Sequence, residues 1–204
     1  YFEEDFYVSA NNFEAYKLIE TWPKWPSKFI NIFGLSGCGK THLANIFKKK
    51  INCFFIKAAD IKNDSLPLIK IKECLIIDEY RNNVEEKLFY SLLSQCYLSN
   101  QYIVINSLKP IQSFEVKLND LKSRFSGFVN IGIDLPTDEL IKVIISKNFS
   151  DKQVKIDAKL LDFILKNINR SYKGIFDLID KLDNFSLSTG KSININLIKK
   201  ALNK

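Results

Sequence analysis

Apolar positions along the chain alternate between two spacings. FINIFG at 29–34, NCFFIKA at 52–58, ECLIIDEY at 73–80, YIVINS at 102–107 and FVNIGIDL at 128–135 are short β-rich runs. Several are apolar without interruption, the pattern of strands buried on both faces of a parallel sheet. Between them, KTHLANIFKKK at 40–50, VEEKLFYSLLSQCYL at 84–98 and a short stretch at 117–125 carry helical spacing. Strands alternating with helices predict an α/β fold with a parallel five-stranded sheet and right-handed crossovers. After Pro136 the strand pattern ends and four helical segments follow, at 137–149, 157–168, 171–188 and 194–203, with turn signals at NFSDKQ and STGKS. The chain is therefore expected to divide into an α/β base at 1–136 and a small all-α unit at 137–204.

Composition narrows the class. Hydrophobic residues make up 46% and charged residues 26% of 204 residues, ordinary globular usage. No apolar run approaches the roughly 20 residues that span a bilayer, and the N-terminal YFEEDFYV is unlike a signal peptide. A cytoplasmic protein without membrane contact is expected. Cys38, Cys53, Cys74 and Cys96 show no C-x-x-C spacing, which predicts reduced thiols with no disulfide and no zinc. The chain lacks methionine, so its native start is expected upstream. Net charge is +7, and the excess is steeper after residue 136, with 13 Lys/Arg against 8 Asp/Glu. A solvated basic surface is the plain reading, with any DNA contact weak or indirect.

GLSGCGKT, Gly34 to Thr41, matches G-x-x-x-x-G-K-[ST] between a predicted strand and a predicted helix. Gly34, Gly37, Cys38 and Gly39 would turn backbone N–H groups towards an anion. Lys40 would reach the β- and γ-phosphates, and Thr41 would place its hydroxyl on magnesium. ATP or ADP with Mg²⁺ is the expected ligand. Asp78 and Glu79 follow the apolar run CLII at the carboxyl edge of the sheet, where Asp78 suits a magnesium ligand and Glu79 the base orienting an attacking water. Asn106, near the end of the next strand, can position water at the γ-phosphate.

Strand, phosphate loop, helix, acidic strand, polar strand and then an arginine ahead of a helical segment resemble the AAA+ ATPases. GKTHL and LKSRF resemble the DnaA family's phosphate-loop continuation and box VII, and DFYVSANN, Asp5 to Asn12, is similar to its adenine-cradling segment. The resemblance implies cofactor contacts for Val8, Asn12 and His42, a sensor 1 role for Asn106, a sensor 2 role for Arg170 and an arginine-finger role for Arg124. ADIKNDSLPLIKIK at 59–72, interrupted by Pro67, is too short for the two-helix insertion with which initiators grip single-stranded DNA. With that omission, and with a chain that stops at Lys204 where an initiator would continue into a DNA-reading domain, the sequence resembles the Hda type of DnaA-related regulator. The Trp-Pro repeat TWPKWPS, Thr21 to Ser27, is similar to the HdaA form.

That resemblance implies regulation of replication initiation. Arg124 would act in trans on ATP held by the DnaA initiator, with the DNA-loaded sliding clamp as second partner, a homodimer as the natural assembly and a nucleoid-associated location. The chain's own hydrolysis is expected to be weak. Hda-like proteins tether to the clamp through a glutamine-and-leucine motif near the N-terminus, and no copy precedes Asp5; Gln95, Gln101 and Gln153 fall where helix, strand or turn is expected. Two alternatives stay open: an autonomous AAA+ ATPase such as a DnaC-like helicase loader or truncated DnaA initiator, and a simple DNA-binding module.

Overall fold

The computed structural model describes residues 6–65, 67, 72–152, 154, 156–189 and 193–202. It separates into two compact units, Tyr1–Asp134 and Leu135–Lys204. In the first, β1 (Phe29–Phe33), β2 (Cys53–Lys57), β3 (Cys74–Tyr80), β4 (Tyr102–Ser107) and β5 (Val129–Gly132) form one parallel sheet in the order β2-β3-β4-β1-β5. The central strands carry the long apolar runs, and Leu75, Ile76, Ile77, Ile103 and Ile105 are fully buried. β5 is shorter than the predicted 128–135. Beyond Gly132 the Ile133 amide still bonds the Phe33 carbonyl, but Asp134 donates to the Asn11 carbonyl at 3.1 Å and leaves the sheet.

Helices α1 (Phe13–Glu20), α2 (Lys40–Lys50), α3 (Glu86–Leu98) and α4 (Asn119–Ser126) belong to this unit, with short 3₁₀ turns at Ala58–Asp60 and Ile111–Ser113. α1 was not predicted. It buries Ala15, Leu18 and Ile19, and its eight residues are too short a repeat to stand out beside the polar segment before it. The Trp-Pro repeat after it packs as a corner, with both Trp22 and Trp25 against Phe47 of α2 and Tyr102 of β4. In the segment 59–72, residues 66 and 68–71 lie outside the described residues, as do Asp5 and Gln153. All four cysteines are free thiols.

α4 is held by two residues one turn apart. Leu121 and Phe125 are buried and enter a core with Tyr80, Phe89, Leu92 and Leu93. Phe125 lies 6.0 Å from the Phe89 ring and 6.1 Å from Tyr80, both edge-on, while Tyr80 stacks on Phe89 at 4.8 Å. The Glu86 carboxylate accepts hydrogen bonds from the amides of Lys117 and Leu118, fixing the entry to α4. Arg124 is thereby placed at the edge of the core.

The second unit is helical: α5 (Asp138–Asp151), α6 (Ala158–Leu165), α7 (Tyr172–Thr189) and α8 (Ile195–Ala201). Thr137, Asp157 and Asn194 each cap the helix that follows them by accepting an amide hydrogen bond. Buried Ile141, Ile144, Phe149, Ile164, Ile175, Leu178, Leu182 and Ile198 supply its core. α5 runs two residues past the predicted 149, through the expected turn, because Phe149 remains on its buried face. Among the described residues no helix of either unit is long and apolar enough to cross a membrane.

Two stability outcomes follow from this packing. Phe125→Ala removes a fully buried ring and is expected to cost about 3–5 kcal/mol in urea unfolding. Gly34→Ala would put a Cβ 2.1 Å from the Ile133 carbonyl oxygen, a backbone atom, and 2.9 Å from Cys38 Sγ. An expected loss of about 2–4 kcal/mol follows from forcing β1 and the end of β5 apart, checked by the same measurement.

Candidate functional site

The chain leaves β1 at Gly34 and enters α2 at Lys40 through the loop Gly34–Gly39. Gly37 and Gly39 have φ of 81° and 105°, and Gly39 is the N-cap of α2 with no side chain capping the first turn. The first amides of α2 therefore face the loop without a side-chain acceptor, the arrangement that receives an anion. Lys40 folds across the loop and donates to the carbonyls of Gly34 (2.6 Å) and Leu35 (3.0 Å), with Cys38 Sγ at 3.6 Å. Burial pushes the Cys38 thiol up despite Lys40, so this sulfur is held as a neutral packing atom.

Asp78 is the centre of the polar cluster beside this loop. Its carboxylate is 1% exposed. Oδ2 accepts from Thr41 Oγ1 at 2.8 Å and Oδ1 accepts from Asn106 Nδ2 at 2.8 Å, so α2, β3 and β4 meet at one side chain. The Oδ1 of Asn106 is buried without a hydrogen-bond partner, an unspent acceptor in the same cluster. Among the described residues no group of three His, Cys, Asp or Glu side chains could hold a metal. One hydroxyl, one carboxylate and one amide oxygen instead fit a hard divalent cation that takes its remaining oxygens from phosphate and water.

Glu79 does not join this cluster. Its φ is +59°, and the β3–β4 register shifts between Ile77 and Tyr80, so the strand bulges at the acidic pair. The bulge buries Asp78 and Tyr80 and leaves Glu79 exposed. There Glu79 Oε1 meets Lys57 Nζ of β2 at 3.0 Å, both side chains about half exposed at 49% and 53%. The Lys57 ammonium is pushed up by its hydrogen bond to Glu79. Lys57 was missed in the sequence, since a lysine at a strand end carries no periodic signal.

Val8 and Asn12 lie in the segment before α1, and His42 in the first turn of α2. Asn12 is buried, donates to the Tyr7 carbonyl (2.9 Å) and accepts from the Ser9 amide (2.8 Å), closing residues 7–12 into a compact turn that leaves Val8 42% exposed. His42 meets Phe6 edge-on at 5.4 Å, which ties that segment to the first turn of α2.

The two predicted arginines lie in different units. Arg124 lies over the rings of Tyr97 (4.6 Å) and Tyr90 (5.9 Å) of α3, beside an open groove of about 650 Å³ lined also by Lys28, Phe29, Leu98 and Ser123. Arg170 belongs to the second unit, where its guanidinium pairs with Asp138 at 3.1 Å, both exposed. Gly174 secures the Arg170 loop: a Cβ there would meet the Asn169 carbonyl at 2.6 Å, and its amide bonds Ser171 Oγ at 3.0 Å. The sequence did not single out Tyr90 and Tyr97, whose seven-residue spacing reads as ordinary helical periodicity.

A family model described as "Hda, lid domain" matches residues 138–202. The chain is 24% identical to the chromosomal replication initiator protein DnaA of Borreliella afzelii, over 98% of this chain and 46% of that protein. It is 26% identical to DnaA of Treponema denticola, over 94% and 46% respectively. It thus spans about half the length of these curated relatives. The fold matches domain III of the Thermotoga maritima replication initiation protein DnaA at a TM-score of 0.77, with 20% identity, covering 98% of this chain and 94% of that one. A structure of the replication initiator DnaA bound to AMPPCP and single-stranded DNA matches at 0.73, with 20% identity, covering 92% and 67%. Residues 138–202 thus match the Hda lid family, and over nearly its whole length the chain is similar in sequence and fold to DnaA-related AAA+ proteins.

Proposed function

We propose that the chain is a nucleotide-bound regulator of replication initiation that stimulates hydrolysis of ATP held by a DnaA initiator, with Arg124 entering the initiator's site. The observation that carries this reading is the separation of Arg124 from the chain's own phosphate loop. The arginine is held on α3 by two tyrosines and touches none of Thr41, Asp78 or Asn106. An arginine so placed serves a γ-phosphate on another subunit, where a finger can raise hydrolysis by about 10³- to 10⁵-fold.

The chain's own site is the one for ADP or ATP. Lys40 and the first amides of α2 would hold the phosphates, Val8, Asn12 and His42 would border the base, and Arg170 carries the sensor 2 role by matched position. Thr41, Asp78 and the free acceptor of Asn106 would hold Mg²⁺, which supplies charge neutralisation at the phosphates. Glu79, engaged by Lys57, is not aligned with these groups, which supports weak hydrolysis by the chain alone. The DNA-loaded sliding clamp is the second proposed partner and a homodimer the proposed assembly, in the nucleoid-associated cytoplasm. The autonomous-ATPase reading rests on the intact Asp78–Asn106–Thr41 cluster, and one assay separates the two.

ATP is preloaded on DnaA and its loss followed with clamp loaded on DNA, adding wild type, Arg124→Ala or Lys40→Ala. Wild type is expected to accelerate loss, and Arg124→Ala to lower the acceleration by about 10³-fold or more while binding nucleotide normally. Lys40→Ala is expected to lose nucleotide binding in an equilibrium titration. The regulator reading fails if wild type leaves the initiator's ATP untouched and instead consumes ATP by itself.

A further inference from the structure

α3 presents Tyr90 and Tyr97 two turns apart on one face. The Arg124 guanidinium of α4 lies against both, at 4.6 Å from the Tyr97 ring and 5.9 Å from the Tyr90 ring. Tyr97 is 55% exposed, so the core does not explain its ring. The ring is nonetheless braced. Phe29, at the start of β1, meets it at 5.9 Å and is itself stacked on Phe128 at 5.4 Å. A row of aromatic rings thus runs from Phe128 through Phe29 to Tyr97 and ends under the guanidinium.

The polar edge of Arg124 is free by contrast. Among the described residues it pairs with no carboxylate, and no carboxylate lines the groove beside it. An aromatic face holds a guanidinium through its π cloud and leaves the in-plane N–H donors unspent. A long exposed arginine otherwise loses its rotamer freedom when it meets its target, and a ring that fixes it beforehand removes that cost.

Resting on the finger reading of Arg124, we propose that Tyr97 is a positioning residue for it: the ring holds the guanidinium extended, with its donor edge presented to an anionic group on a partner. In this role Tyr97 acts only through Arg124.

The test uses the full chain in the initiator-ATP assay, titrated to saturation, with Tyr97→Leu, Tyr97→Phe and Arg124→Ala. Tyr97→Leu keeps an apolar side chain and loses the π face. It is expected to lower the maximal rate constant about three- to tenfold with the half-saturating concentration unchanged, while Tyr97→Phe retains wild-type rate. The ring contact is read independently by NMR: the Arg124 δ-methylene protons are expected upfield in wild type and Tyr97→Phe, and at ordinary shifts in Tyr97→Leu. A wild-type maximal rate in Tyr97→Leu, a loss confined to the half-saturating concentration, or a Tyr97→Phe variant as defective as Tyr97→Leu would overturn the inference. If Arg124→Ala itself keeps full stimulation, the finger reading fails; if Arg124→Ala is inactive and Tyr97→Leu is not, only the role of Tyr97 fails.

Discussion

A carboxylate buried at the carboxyl end of an inner strand must have both oxygens satisfied, because a charge or a polar oxygen left without a partner away from water is costly. Asp78 meets that requirement by reaching in two directions at once, to Thr41 on α2 and to Asn106 on β4. The first bond fixes where α2 starts relative to β3, and so where the phosphate loop ends. The second fixes the relative height of β3 and β4. Losing either partner would leave a buried acceptor unpaired at about 1–3 kcal/mol, which is why the loop, the acidic strand and the polar strand behave as one unit.

The same strand separates two acids that are adjacent in the chain. The bulge at Ile77–Tyr80 and the left-handed backbone of Glu79 turn one carboxylate into the cluster and the other out to Lys57. A non-glycine residue with positive φ is uncommon and persists where its surroundings fix it. Here the flanking residues Asp78 and Tyr80 are both buried, and Tyr80 is stacked on Phe89. That aromatic packing continues through Phe125 to α4, so the core that bends the acidic strand also sets the position of Arg124.

Much of this was legible before any coordinates. The phosphate loop declared itself by its glycines and lysine between a strand and a helix, and the sheet by its uninterrupted apolar runs, because backbone reversal and two-sided burial each restrict residue type strongly. The four helices of the second unit were legible for the same reason, with Thr137, Asp157 and Asn194 marking where three of them begin. α1 escaped because eight residues make only about two turns, too few for a period to stand out. Lys57, Tyr90 and Tyr97 escaped because a lysine, or a tyrosine on a helix face, is compatible with plain solvation; only its neighbour distinguishes it.

The sequence by itself determined the local chemistry: a loop able to turn amides towards an anion, a hydroxyl next to it, acids at a strand end, an arginine on a short amphipathic helix and a change from strand to helix periodicity at Pro136. These depend on residues close in the chain, whose spacing is the physical constraint. Tertiary structure alone decided which of the two acids enters the cluster, which cation meets the other, and that Arg124 rests on α3 away from its own phosphate loop. Those outcomes are contacts between residues 22 to 28 positions apart, as in Lys57–Glu79, Asp78–Asn106 and Tyr97–Arg124. They are settled by sheet register and by the packing of α4 on Phe89 and Tyr80, neither of which local spacing encodes.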